Sequence, residues 1–241
     1  MSVLPTIDLP TYTVKLPVSE QTIKFRPYMV KEQKILAMAK ESGDRNTLID
    51  ALFQVIENCV IGEKFVRDLP ITDIEFLFYN LRARSESETL ELKYKCENLV
   101  NDSRCGNVMH HDLNLLTDLQ FTNMDISPII EISENVGIKL KHQKFEYDSF
   151  EDGAIPTPTE LFEIISKNVD FIFDKNNSFK AEDLPLKDMV EWIGNVPPEQ
   201  YLKIEHFFLN EPKIVKRLEI KCSKCGMDHD ILVEDIFDFF I

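Results

Sequence analysis

Apolar and polar residues alternate over residues 12–16 and again over 22–26. A period of two sends successive side chains to opposite faces, so each stretch predicts a strand. Pro17 and the Ser19-Glu20-Gln21 turn join the two as a small hairpin, and Pro27, with no N–H to give a ladder, ends the second. Helical patterning follows. Residues 30–42 are rich in strong helix formers and stop at Gly43, a residue suited to a left-handed C-cap. Over 45–60, Leu48, Leu52, Val55, Ile56 and Cys59 share one helical face, which makes Cys59 a small core residue. Thr72-Asp73-Ile74-Glu75 reads as a capping box before a helix whose apolar face is Ile74, Leu77, Phe78 and Leu81.

The pattern changes again at Ser85. Residues 89–95 alternate cleanly and run straight into Cys96; residues 108–115 form a plausible return strand after Cys105-Gly106. Further strand-like stretches are 125–132 and 137–141. Pro158 suits the first turn of a helix, predicted to run through Phe173 with Leu161, Ile164, Ile165, Val169 and Ile172 on its apolar face. A polar loop over 174–179 leads to two more helical segments, 186–194 and 198–209, the second presenting Tyr201, Ile204, Phe207 and Phe208. After Pro212 a strand over 217–221 enters Cys222.

These elements predict an α+β fold. It has an N-terminal β-hairpin with helices, a central small antiparallel β region carrying a split zinc-ribbon-like site of four cysteines, and C-terminal helices returning to that β region. The expected division is 1–86 for the hairpin and helices, 87–145 with 213–241 for the β region, and 146–212 for a helical insertion.

Composition narrows the function classes. With 42 acidic against 27 basic residues the net charge is −15, which repels nucleic acid and anionic lipid and favours protein partners. No apolar run approaches the roughly 18 residues of a membrane-spanning helix. Residues 1–10 lack the basic and apolar regions of a signal peptide, so a reducing, cytosolic compartment is expected, where clustered cysteines favour metal or catalysis over disulfides.

Four of the five cysteines repeat one arrangement. An alternating strand enters Cys96, and Cys105-Gly106 follows after eight residues; a second strand enters Cys222, and Cys225-Gly226 follows after two. The second is a zinc knuckle by spacing, with Gly226 permitting the bend that brings amides toward the sulfurs. Together Cys96, Cys105, Cys222 and Cys225 would complete a closed tetrahedral Zn2+ site across the 116 residues between Cys105 and Cys222. A closed set is structural, and its binding energy adds to folding. The alternative is four reduced cysteines without metal. His110, His111 and His229 lie just beyond the pairs as substitute ligands, though return-strand surface positions suit them better; His142 and His206 read as structural. Redox use of Cys222-x-x-Cys225 is the enzymatic rival, but such a site wants a following helix N-terminus, and residues 231–233 look like strand.

No phosphate-binding glycine loop, nucleophile elbow or zinc-protease motif is present. Asp148, Glu151 and Asp152 read as a solvated loop. The terminal Phe237, Phe239 and Phe240 are core candidates that could instead dock a partner.

Taken in order, Leu16-Pro17-Val18-Ser19, Ile23-Lys24-Phe25-Arg26-Pro27, Val30-Lys31-Glu32-Gln33-Lys34-Ile35-Leu36, Leu81-Arg82-Ala83-Arg84-Ser85, Phe207-Phe208, Pro212, Cys222-Ser223-Lys224-Cys225-Gly226 and Phe239-Phe240 resemble the baseplate hub assembly proteins of T4-like tailed bacteriophages. The resemblance spans nearly the whole chain. It implies a non-enzymatic hub subunit or assembly chaperone, partnered by other hub or tail proteins. It also implies a place in the host cytoplasm during assembly or in the virion's tail baseplate. An acidic host- or partner-binding protein and a thiol-disulfide catalyst are the alternatives.

Overall fold

The computed structural model describes residues 7–62, 66–145 and 157–233, in two compact units. One is built from Met1–Thr122 with Lys213–Ile241, the other from Asn123–Pro212. No described helix is long and apolar enough to cross a membrane.

The first unit begins with the expected hairpin, β1 (Tyr12–Lys15) against β2 (Thr22–Phe25). Helix α1 (Val30–Ser42) ends at Gly43, whose φ of 66° is the left-handed cap. Helix α2 (Arg45–Cys59) starts on Asp44, which accepts from the Thr47 amide at 2.7 Å. The short strand β3 (Val60–Ile61) then adds to β2. Helix α3 (Ile71–Ser85) packs on α2, and Leu52, Val55, Ile56, Ile74, Leu77, Phe78 and Leu81 on the two helices are almost wholly buried. Cys59 lies in that core, as its stripe predicts; Ile49 is buried where Leu48, half-exposed, was expected.

Two buried carboxylates tie these pieces together, and neither role is apparent from spacing. The capping box expected at Thr72 does not open α3: Pro70 occupies the N-cap without a side-chain cap. The Asp73 carboxylate reaches 55 residues back instead, accepting from the amides of Val18 and Ser19 at 2.8 Å each. A fully buried acid beside a tight turn satisfies amides that the hairpin leaves without partners. Glu32, also fully buried, accepts from the Met29 amide at 2.8 Å and from Arg26 at 3.0 Å. Arg26 in turn donates to the carbonyls of Pro27 and Asn58, linking β2, α1 and the end of α2.

The chain continues through β4 (Thr89–Lys95), β5 (Leu99–Val100), β6 (Ser103–Arg104), β7 (Val108–Asn114) and β8 (Gln120–Thr122). β4 and β7 form one antiparallel ribbon and β5 and β6 a second, very short one.

The second unit is a four-stranded antiparallel sheet covered by helices. Its elements are β9 (Ile129–Ser133), β10 (Val136–Leu140), α4 (Pro158–Lys167), β11 (Val169–Asp174), β12 (Ser178–Lys180), α5 (Leu186–Gly194) and α6 (Pro198–Leu209). The strand order is β12-β11-β10-β9. The helix expected to reach Phe173 therefore stops at Lys167. Ile165, Val169 and Ile172 continue a helical period by coincidence, but the β-branched and aromatic run from Val169 to Phe173 fits a pleated face better. Asn168 closes the helix, its side-chain amide donating to the Ile164 carbonyl at 2.9 Å. The polar loop expected over 174–179 is interrupted by β12. Gly137 faces Phe173 across β10 and β11, and a Cβ there would stand 2.3 Å from the ring. A side chain there would require the Phe173 ring to shift. The core of this unit includes Ile138, Leu140, Ile165, Ile193, Ile204 and Phe207.

β13 (Lys213–Lys221) and β14 (Asp228–Val233) return to the first unit as an antiparallel ribbon. β13 also pairs with β8, with Lys213 opposite Thr122. The ends of the 123–212 segment are thus joined by one ladder.

Burial opposes ionisation of Glu32, but the hydrogen bonds from Arg26 and Met29 outweigh it and hold its carboxyl below the ordinary range. A lowered folded value contributes stability in full above the unfolded value of about 4.3, and loses it as pH falls through the folded value. Glu32→Gln is expected to cost about 2–4 kcal/mol at neutral pH, since it leaves Arg26 short of its counter-charge. It should also flatten the acid limb of urea-midpoint against pH; an unchanged limb would contradict this role.

Candidate metal centre

The β4–β7 and β13–β14 ribbons each end at a cysteine turn, and the two turns meet. Cys96 Sγ lies 3.6 Å from Cys225 Sγ, and Cys105 Sγ 3.8 Å from Cys222 Sγ. All four sulfurs fall within 4.8 Å of one another. A disulfide needs about 2.05 Å, and all four thiols are free. A tetrahedron with metal–sulfur bonds of about 2.3 Å has edges of about 3.8 Å, which is the spacing between the two turns. Cys96, Cys105 and Cys222 are buried and Cys225 half-buried, packed with Met109, Tyr94 and Ile220. Four nearby cysteines of this kind could hold a metal ion.

The two turns share one backbone pattern despite their unequal spacing. At the second, Cys222 N–H donates to Met227 O at 2.8 Å and Gly226 N–H to Cys222 O at 2.9 Å. At the first, Cys96 N–H donates to Asn107 O at 2.8 Å and Gly106 N–H to Cys96 O at 3.0 Å. Gly106 and Gly226 both take positive φ, 65° and 74°. The extra length in the first turn is the β5–β6 hairpin, sealed at its base by Cys105 N–H donating to Asn98 O at 2.8 Å. Asn101 and Asp102 at its tip have φ of 50° and 60°, the backbone of a type I′ turn. The first pair is therefore a Cys-x-x-Cys turn with a six-residue hairpin, residues 99–104, spliced before the second cysteine.

The surroundings favour thiolates unevenly. Backbone hydrogen bonds at Cys225 and Lys224 bring the Cys222 thiol down to about 6, against the burial that raises it. The Met227 backbone and Asn98 lower Cys225. Burial, with the neighbouring sulfurs, pushes Cys96 up to about 12. Asn107 Nδ2 donates to Cys222 Sγ at 3.5 Å and Asn98 Nδ2 to Cys225 Sγ at 3.6 Å. Lys224 Nζ donates to Cys105 O at 2.8 Å, so each turn is fastened to the other. Of the three histidines weighed as substitutes, only His229 reaches the sulfurs. Its Nε2 stands 3.2 Å from Cys96 Sγ, the place of an outer hydrogen-bond partner. His110 pairs instead with Glu91 at 2.6 Å, and His111 lies opposite Leu92 in the β4–β7 ribbon. Phe237, Phe239 and Phe240 lie outside the described residues, as do Asp148, Glu151 and Asp152.

Sequence reasoning missed the roles of Asn98, Asn107 and His229. The Val100-Asn101-Asp102-Ser103 stretch carried the signal for the spliced hairpin, since Asn and Asp tolerate positive φ.

Fold and site together define a mixed α/β protein with small antiparallel sheets and a four-cysteine cluster that joins distant parts of its chain. The chain belongs to the T4 bacteriophage base plate protein family, whose model matches residues 9–241. No curated protein and no solved structure gives a significant match.

If residues 99–104 are an insertion, joining Asn98 to Cys105 leaves a short Cys-x-x-Cys turn. The shortened protein should keep the parent's far-ultraviolet circular dichroism and metal stoichiometry, whereas Cys105→Ser should change the stoichiometry. Loss of metal from the shortened form alone would show the hairpin to be part of the turn.

Proposed function

We propose that this protein acts without catalysis in building the baseplate hub of a contractile phage tail, as a hub subunit or an assembly chaperone. In this reading Cys96, Cys105, Cys222 and Cys225 hold one structural Zn2+. Its partners are other hub or tail proteins, and it works in the host cytoplasm during assembly or remains in the virion's baseplate. The observation that carries the reading is family membership over nearly the whole chain. The closed sulfur set supports a structural ion, because four protein ligands fill a tetrahedral shell and leave no position for water or substrate. Zinc suits four thiolates at this spacing, although softness alone also admits other thiophilic metals. The C-terminal Phe237, Phe239 and Phe240 are proposed as partner contacts.

A thiol-disulfide catalyst is less well supported. The Cys222 turn opens onto the strand β14 where a helix N-terminus would be wanted, and the closest sulfur contacts run between the two pairs.

Elemental analysis of metal-replete protein should return about one zinc per chain. Chelation should lower the melting temperature, and Cys222→Ser should bind less metal. Zero metal with unchanged melting after chelation would remove the zinc part. A phage lacking this protein should make tails without functional hubs; normal tails would remove the assembly part.

A further inference from the structure

The unit formed by Asn123–Pro212 carries a second feature, remote in sequence from every cysteine. Between its sheet and α5 lies an apolar cleft of about 330 Å³. Its floor and walls include Ile172, Phe173, Phe179, Leu184, Met189 and Trp192. Ile172 and Phe179 are cross-strand partners, so both project to the same face of the sheet.

Two properties distinguish this cleft from an ordinary packing gap. Phe179 is 46% exposed, on an edge strand whose three residues are all exposed. An aromatic ring on an outermost strand, beside an open apolar cleft, is surface left for something to cover. Second, the opening is acidic. Asp174 and Asp188 line the cleft itself. Segment 174–191 holds five carboxylates against three lysines, and pairing Lys180 with Glu182 at 3.2 Å leaves four against two. Asp174 accepts from the amides of Asn176 and Asn177, which keeps its carboxyl below the ordinary range and so anionic at neutral pH.

The geometry points to this cleft as a docking site for an extended segment of another baseplate protein, seating one large apolar side chain between Phe179 and Trp192 and placing flanking lysines or arginines against Asp174 and Asp188. The assembly reading supplies the existence of such a partner; the cleft's preference for an apolar anchor with a basic flank stands apart from it and from the metal. A volume of about 330 Å³ is at the lower end of ligand sites and suits a single anchoring side chain. β12 is the outermost strand of its sheet, so an extended backbone can lie beside it.

Trp192 is the single tryptophan of the chain, so its fluorescence reports the cleft directly. The full-length protein is titrated with a capped pentapeptide carrying phenylalanine between pairs of lysines, and with the same peptide carrying glutamates. The lysine peptide is expected to give a saturable change in Trp192 emission, and the glutamate peptide none over the same range. Phe179→Ser, an exposed position whose loss should leave the circular dichroism unchanged, is expected to weaken binding by about tenfold, as does truncation of a central anchor. Asp188→Asn should weaken it less and reduce its salt dependence. Equal binding of both peptides, no response to either, or wild-type affinity in Phe179→Ser would each overturn the proposal. So would an emission change that follows protein concentration alone, which would assign the cleft to a second copy. Normal tails from a phage lacking this protein, with peptide binding intact, would overturn the functional reading and leave the cleft standing.

Discussion

The β ribbons of the first unit meet at four sulfurs drawn from opposite halves of the chain. Cys105 and Cys222 are separated by 116 residues, yet their sulfurs lie 3.8 Å apart. Closing so long a loop has a conformational-entropy cost, although that cost rises only logarithmically with length. The ribbons leading into the turns offset part of it. β4 with β7 and β13 with β14 are paired along their lengths, so each turn is presented as the end of a stiff two-stranded arm. Two ribbons of this size have little hydrophobic core of their own, and isolated hairpins are marginal in water. Junctions of this kind are where a metal ion contributes most to folding.

The helical part of the same unit is held differently. Its core is apolar between α2 and α3, and the buried Glu32 and Asp73 fasten the hairpin to the helices through amides and Arg26. The two halves communicate through β13, which packs on α3, and through the edge-to-face contact of Phe76 with Phe121, centroids 5.5 Å apart. The long 123–212 segment does not stretch this arrangement, because Lys213 is paired opposite Thr122. An insertion whose two ends are neighbours in one ladder can be large without changing the distance its host must close.

The N-terminal hairpin, the three helices after it and the strands into Cys96 and Cys222 were legible because each has one dominant period and clear punctuation, such as Gly43. The cysteine cluster was legible from strand context even though the spacing of its first pair looked wrong. That spacing was opaque because a hairpin of six residues adds length without changing where the chain re-enters the turn. Helix α4 was overextended because the stripe of Ile165, Val169 and Ile172 satisfies both a helix and the strand that follows; the sheet partner β10, which decides the matter, is not written locally. The capping box expected at Thr72 misled for a related reason. A capping sequence announces a local hydrogen bond, whereas the Asp73 carboxylate is used by amides 55 residues away.

The uneven thiol environment makes sense as one half of an electrostatic design. Without a cation, ionising one sulfur raises the cost of ionising the next, so burial and neighbouring sulfurs push Cys96 up to about 12 while backbone hydrogen bonds bring Cys222 down to about 6. A dication at the centre would remove that cost, since a coordinating thiol is deprotonated outright. Four thiolates around a divalent ion would still carry two excess negative charges, within a protein already at −15. The outer groups answer that excess: Asn98 and Asn107 point N–H groups at sulfur, His229 Nε2 stands against Cys96 Sγ, and Lys224 spans the two turns. Hydrogen bonds to ligating atoms hold the turns together as well as stabilising charge.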